Sequence, residues 1–353
     1  MARVLVIEDD LSATSLLLHM LQGGGHEVAS ARDGQQGLEL ARQQTFQVVL
    51  TDWKMPGMNG LEVLNGLQLV NPDLPVILIT GFLTPKLTDQ AQRLGAYACV
   101  LKWPDPPRVL KLLEQAARQP ILGNSRELQD VCEEIAIVAP SDLTVLVRGE
   151  PGTGRRSVCR MIHRHSKRAL GPFVILDCAR QLEVMQGKSP ETWITYLRQK
   201  MEEARHGTLL LHHLGHLSNS AQAQLLSVLP DGGHVEVRIM ATITPYCDHA
   251  LREDLYYRLT EFVICMPPLR EHAKDIPDLV KDYIDRYAEP SMLPNSGVME
   301  YLEQQPWPGN VRQMRTILAK ALLRAHGSPL TTELFERLLR NRSRRVDCKH
   351  RLR

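Results

Sequence analysis

The residues with the most evident capacity for chemistry lie at the ends of short apolar runs. Glu8, Asp9 and Asp10 follow Val4–Ile7, Asp52 follows Val48–Thr51, Thr80 closes Val76–Thr80, and Lys102 follows Ala98–Leu101. Carboxylates gathered at one point repel by about 4 kcal/mol per close pair at an effective dielectric of about 20. A divalent cation relieves that repulsion. Oxygen-only ligands suit magnesium, which keeps open positions for phosphate oxygens, so Glu8, Asp9 and Asp52 are the expected metal ligands. Asp52 is then the nucleophile for a phosphoryl group. Lys102 neutralises the group as a point charge, and the Thr80 hydroxyl bonds one of its oxygens once it is attached. The added charge of about −1.5 to −2 is the signal.

Bringing these residues together needs parallel strands, because an open parallel sheet collects its functional groups at the strands' carboxyl ends. From residue 3 to 117 apolar runs alternate with amphipathic helical patterns, such as Gly34–Gln43, Gly60–Leu69 and Arg108–Arg118. That alternation predicts a doubly wound α/β unit with right-handed crossovers. Pro120 and Gly123, within Gln119–Ser125, reset the pattern. A second alternating unit follows, with strands expected at Thr144–Arg148, Phe173–Asp177, Thr208–His212, Arg238–Thr242 and Phe262–Met266. From Asp275 helices dominate, broken by Pro294, Pro306 and Pro308. The expected organisation is 1–118, 119–274, 275–340 and a basic tail over 341–353.

The strings VLVIEDD at 4–10, TDWKMPGMNG at 51–60, LIT at 78–80 and LK at 101–102 resemble the receiver family of two-component signalling. The resemblance implies a flavodoxin-like fold, magnesium, and a sensor histidine kinase as phosphodonor. Two positions depart from the family pattern. Cys99 stands where an aromatic residue usually swings inward on phosphorylation, and Trp103 interrupts the usual Lys-Pro pair as Lys102-Trp103-Pro104. Cys99 reads as an apolar filler.

GEPGTGRRS at 149–157 follows an expected strand and opens an expected helix, as a phosphate-cradling loop does. With REDLYYRL at 252–259, PPLRE at 267–271 and PWPGNVRQ at 306–313, it resembles the AAA+ P-loop domain and helical lid of the nitrogen-regulation family, the activators of sigma-54 RNA polymerase. The resemblance implies that Gly149, Gly152, Thr153, Gly154 and Arg155 face the phosphates. It likewise makes Arg252 and Arg258 fingers acting across subunits of an oligomer, and Arg312 the lid's nucleotide sensor. The family lysine is replaced by Arg155, which leaves nucleotide binding open. The family's Asp-Glu pair is replaced by His212 and His213, and neutral imidazole is a poor ligand for hard magnesium. ATP turnover is therefore expected to be lost. The string HHLGH lacks the glutamate of the zinc-protease helix and contains a glycine. The Gly-Ala-Phe-Thr-Gly-Ala loop that grips sigma-54 has no counterpart between Cys178 and Gly207, and the sensor asparagine is missing from RIMATIT at 238–244.

These readings converge on a phosphorylation-controlled regulator of transcription whose ATPase-like part has become a binding or assembly module. Its candidate partners are genuine sigma-54 activators, in a mixed ring, or RNA polymerase. The rival is an active ATP-dependent activator with divergent motifs. The hydrophobic fraction of 43% is that of a globular chain, and the net charge of +2 offers no global attraction to nucleic acid. Thirteen basic-rich residues at 341–353 are too few for a helix-turn-helix, so DNA binding is not expected. Neither a leader pattern nor a membrane-length apolar run is read at any point, and seven scattered cysteines suit a reducing compartment, so a cytoplasmic setting is expected.

Overall fold

A computed structural model of the chain describes residues 2–71, 74–102, 106–118, 123–179, 190–229, 236–246, 251–325 and 327–340. Trp103, Pro104, the centre of the shortened stretch after Cys178, and the tail from 341 onward lie outside the described residues. The chain divides into two compact units. One comprises Met1–Pro120, Pro277–Tyr301 and Arg315–Arg353; the other comprises Ile121–Ile276 and Leu302–Met314.

The first unit holds β1 (Arg3–Ile7), α1 (Leu11–Gly23), β2 (Glu27–Ala31), α2 (Gly34–Gln43), β3 (Val48–Asp52), α3 (Gly60–Val70), β4 (Val76–Thr80), α4 (Pro85–Arg93), β5 (Ala98–Leu101) and α5 (Pro106–Arg118). All strands are parallel in the order β2-β1-β3-β4-β5. The inner strands read as unbroken apolar runs because helices cover both faces. Alternate strand residues serve the two faces. Leu5, Ile7, Val49 and Leu78 pack on α2, α3 and α4, whereas Val4, Val6, Leu50 and Ile79 pack on α1 and α5. Helix starts are encoded locally. The Asp10 side chain accepts from Ser12 and Ala13, Asp33 caps α2, and Asn59 with Glu62 forms a reciprocal capping box on α3. Cys99 is fully buried, and burial pushes its thiol up to about 12, which fits a filler.

The second unit holds α6 (Arg126–Val138), β6 (Val145–Gly149), α7 (Arg155–Arg164), β7 (Phe173–Asp177), α8 (Pro190–Glu203), β8 (Thr208–His212), α9 (Asn219–Val228), β9 (Arg238–Ile243), α10 (Glu253–Leu259) and β10 (Phe262–Met266). Its parallel sheet runs β10-β6-β9-β8-β7. Helices α6 and α7 pack on one face through Val131, Ile135, Val158 and Ile162; α8, α9 and α10 cover the other through Trp193, Leu197, Leu225 and Leu255. Arg238, wholly buried at the start of β9, donates to the carbonyls of Val138, Ala139 and Leu143 and so caps α6. The remaining α-helices among the described residues are α11 (Ile276–Tyr287), α12 (Ser296–Glu303) and α13 (Asn310–Ala325), with residues 332–340 also helical.

Candidate functional sites

In the first sheet the connections reverse direction between β1 and β3, and the crevice outside a reversal point is where such sheets bind ligands. Glu8 and Asp9 leave β1 there and Asp52 ends β3. Oxygens of these three carboxylates lie within 4.8 Å of one another. Glu8 and Asp52 are buried while Asp9 is exposed. Lys102 Nζ donates to Glu8 Oε1 at 2.8 Å and to Asp52 Oδ2 at 3.1 Å, and Asp52 Oδ1 accepts the Trp53 amide at 2.7 Å. Burial pushes the Glu8 carboxyl above its ordinary range, against the lowering effect of its bond from Lys102. Lys102 is also raised: lost hydration pulls it down, but its bonds to Glu8 and Asp52 outweigh that. Glu8 Oε2 is buried with no hydrogen-bond partner. An orphaned carboxylate oxygen among two other carboxylates fits a hard cation. Thr80 lies at the end of the neighbouring β4, where its hydroxyl bonds the backbone of Phe82 at 3.2 Å. The third acid of the sequence string, Asp10, is used up as the cap of α1.

The glycine loop of the second unit joins β6 to α7. Gly152 and Gly154 have φ of +87° and +97°, in the left-handed region that favours glycine. A Cβ on Gly152 would come within 2.4 Å of the Gly309 carbonyl, so the chain could not close over the loop with any other residue there. Thr153 Oγ1 donates to the Glu150 carbonyl. Glu150 in turn receives both Nη atoms of Arg270 at 2.7 and 2.9 Å, which lowers its carboxyl, and Asn310 Nδ2 at 3.1 Å. Asn310 sits at φ +50° and also accepts the Leu269 amide at 2.8 Å, while Arg312 lies beside Gly152. Arg155 is buried at the head of α7. Arg252 forks onto Asp254 at 2.7 and 3.1 Å, an ion pair within its own helix start, and Arg258 lies further along α10.

His212 ends β8 and His213 follows in left-handed backbone, φ +59°. Thr242 Oγ1 accepts the His213 amide at 3.1 Å and lies 2.7 Å from His212 Nδ1. That hydrogen bond to the Thr242 hydroxyl engages Nδ1 of the ring. Burial, with a smaller push from His213, lowers His212 to about 3, so it is neutral at pH 7. His213 Nδ1 lies 3.2 Å from Asp177 Oδ1. His216 sits in a short 3-10 turn, not on one helix with His212, and among the described residues only Glu8, Asp9 and Asp52 converge as a set of three metal-ligating side chains.

Family models match the chain in three consecutive segments. Residues 4–114 match the response regulator receiver domain, 122–269 the sigma-54 interaction domain, and 270–350 the AAA+ ATPase lid domain. Over 363 residues the chain is 32% identical to the transcriptional regulatory protein ZraR of Klebsiella oxytoca, spanning 91% of this chain and 82% of that relative. The chain belongs to the sigma-54 activator family of response regulators. Another family member, the DNA-binding transcriptional regulator NtrC of Escherichia coli K12, is 32% identical over 94% of this chain and 81% of its own length. The crystal structure of NtrX from Brucella abortus in complex with ATP superposes with a TM-score of 0.53 at 26% identity, covering 94% of this chain and 84% of that one.

Within this family framework, sequence reasoning located the acids, the lysine and the glycines but missed Asp177, Thr242, Glu150 and Asn310. Asp177 was accessible in principle, since it ends a strand in register with His212. The roles of Glu150 and Asn310 carry no local signal, because their bonds cross 120 and 160 positions of chain.

Proposed function

We propose that this response regulator accepts a phosphoryl group on Asp52 from a sensor histidine kinase in the cytoplasm, and that its sigma-54 interaction unit then acts by protein contact with little ATP turnover. Glu8, Asp9 and Asp52 would hold Mg2+, which would offset charge on the phosphoryl oxygens. An Asp52 carboxylate oxygen attacks phosphorus, the bond to the donor imidazole breaks, and an acyl phosphate forms. Lys102 moves its charge from Glu8 and Asp52 onto the transferred group, and Thr80 donates to one of its oxygens.

The observation that carries the second half is the bonded pair His212 and Thr242. A neutral imidazole with Nδ1 engaged supplies no anionic oxygen for magnesium or for a hydrolytic water. The likeness to ATP-bound NtrX, with the left-handed glycines Gly152 and Gly154 in the loop between β6 and α7, supports nucleotide occupancy and favours the second reading, an active ATP-dependent activator. Contacts through Arg252 and Arg258 to other activators, or to RNA polymerase, are the partner interactions of the first reading. ATP hydrolysis of the purified chain with and without acetyl phosphate separates the two. Background turnover in both conditions supports the first; turnover that Arg155→Ala removes establishes the second.

A further inference from the structure

In a P-loop the magnesium that accompanies a nucleotide is held by an oxygen-bearing side chain, commonly Ser or Thr, directly after the phosphate-binding lysine, and by a carboxylate at a neighbouring strand end. The second unit offers neither oxygen. Directly after Arg155 comes Arg156, in the first turn of α7, and β8 ends in His212 with His213 behind it. Ser157 stands one position further on, about 100° round the helix, and is exposed. His212 Nδ1 is engaged by Thr242 Oγ1 at 2.7 Å, and imidazole is a poor ligand for a hard cation.

Neither Asp177 nor Glu150 repairs the loss. Asp177, in register with His212 on the adjoining β7, has Oδ1 3.2 Å from His213 Nδ1 and accepts the Ala179 amide on the same atom at 3.1 Å. Glu150 has both carboxylate oxygens occupied by Arg270, at 2.7 and 2.9 Å. These residues do not fit magnesium.

Positive charge stands where the metal would. Arg155 is 5% exposed, Arg156 is half-buried, and the first turn of α7 contains no acid. Both guanidinium groups lie close enough to His212 to bear on its proton: after burial and His213, which lower it most, the two arginines push the same way and Asp177 the other. Adjacent cations at the amino end of a helix repel each other and oppose the positive end of its dipole. The left-handed glycines Gly152 and Gly154 turn the loop at that same end. A polyanion seated there relieves both repulsions, and guanidinium groups meet phosphate oxygens as planar forks.

We propose that this loop takes a nucleoside triphosphate free of magnesium, with Arg155 and Arg156 supplying the counter-charge that the metal supplies in other P-loops; this rests on the nucleotide occupancy proposed above. The magnesium complex brings two further positive charges to a site already holding two, so it binds less tightly than the free nucleotide. The nucleotide is then a retained ligand of the second unit and not its fuel.

Calorimetric titration of ATP into the full chain tests this, in EDTA and in excess magnesium added beforehand so that its heat at Glu8, Asp9 and Asp52 is excluded. ATP binds about tenfold or more tighter in EDTA. Arg156→Gln, which removes one charge, weakens binding in EDTA by about tenfold and erases the preference, whereas Arg156→Lys retains it. Binding that requires magnesium overturns the proposal and leaves nucleotide occupancy standing, as does an Arg156→Gln variant that titrates like the parent. Absence of binding in both media overturns occupancy and the proposal with it.

Discussion

Lys102 Nζ lies 3.1 Å from Asp52 Oδ2 while also bonded to Glu8, so one ammonium spans the two buried carboxylates at the head of the sheet. Its charge is already in place where negative charge must accumulate. Lys102→Met is therefore expected to slow phosphoryl uptake by about 10²–10³-fold, the usual loss on deleting a positioned charge donor. Asp52→Asn should abolish uptake, and chelation of magnesium should do the same to the parent chain. The rate of mass gain with acetyl phosphate measures all three.

Rebuilding the acid pair should recover catalysis where the two histidines now stand. The triple variant Arg155→Lys, His212→Asp, His213→Glu is expected to raise ATP turnover by about 10²–10⁴-fold over the parent, the scale attached to a general base. A steady-state phosphate-release assay reads the change. Equal turnover in both proteins would mean that the deficit lies elsewhere.

Acidification should weaken the second unit through His163. That ring is buried, bonds Thr208 Oγ1 at 2.9 Å, and is lowered by burial to about 4. Between the unfolded value of about 6.5 and the folded value, the unfolded chain binds the extra proton, so stability falls as pH falls through that window. The full loss is about 3 kcal/mol, complete about one pH unit below the folded value. His163→Gln should flatten this part of a denaturation-versus-pH curve.

Arg238→Ala should destabilise the second unit by about 3 kcal/mol or more, because it strands the Val138 and Ala139 carbonyls at the end of α6 and the Leu143 carbonyl of the following loop. Burial lowers Arg238 only to about 10, so the parent side chain is charged at neutral pH. Urea denaturation compares the two proteins. Arg238→Lys should recover only part of the loss, since an ammonium cannot fork to three carbonyls.

Periodicity and strand-end chemistry were enough to derive both parallel sheets to within a residue or two at most strand ends, because alternation of buried apolar runs with amphipathic helices is a local property of the chain. Glu8, Asp52, Thr80 and Lys102 were legible for the same reason, each sitting at or one residue past a strand terminus that the pattern marks, and the loop glycines follow β6 within five residues. Tertiary structure alone decided what these groups touch. It set Thr242 against His212, joined Glu150 to Arg270 and Asn310, and laid Tyr283 and Tyr287 against Gln92 and Ala96. Such contacts depend on how distant segments meet in space, and hydrogen bonds between residues more than a hundred positions apart leave no trace in the composition of either segment.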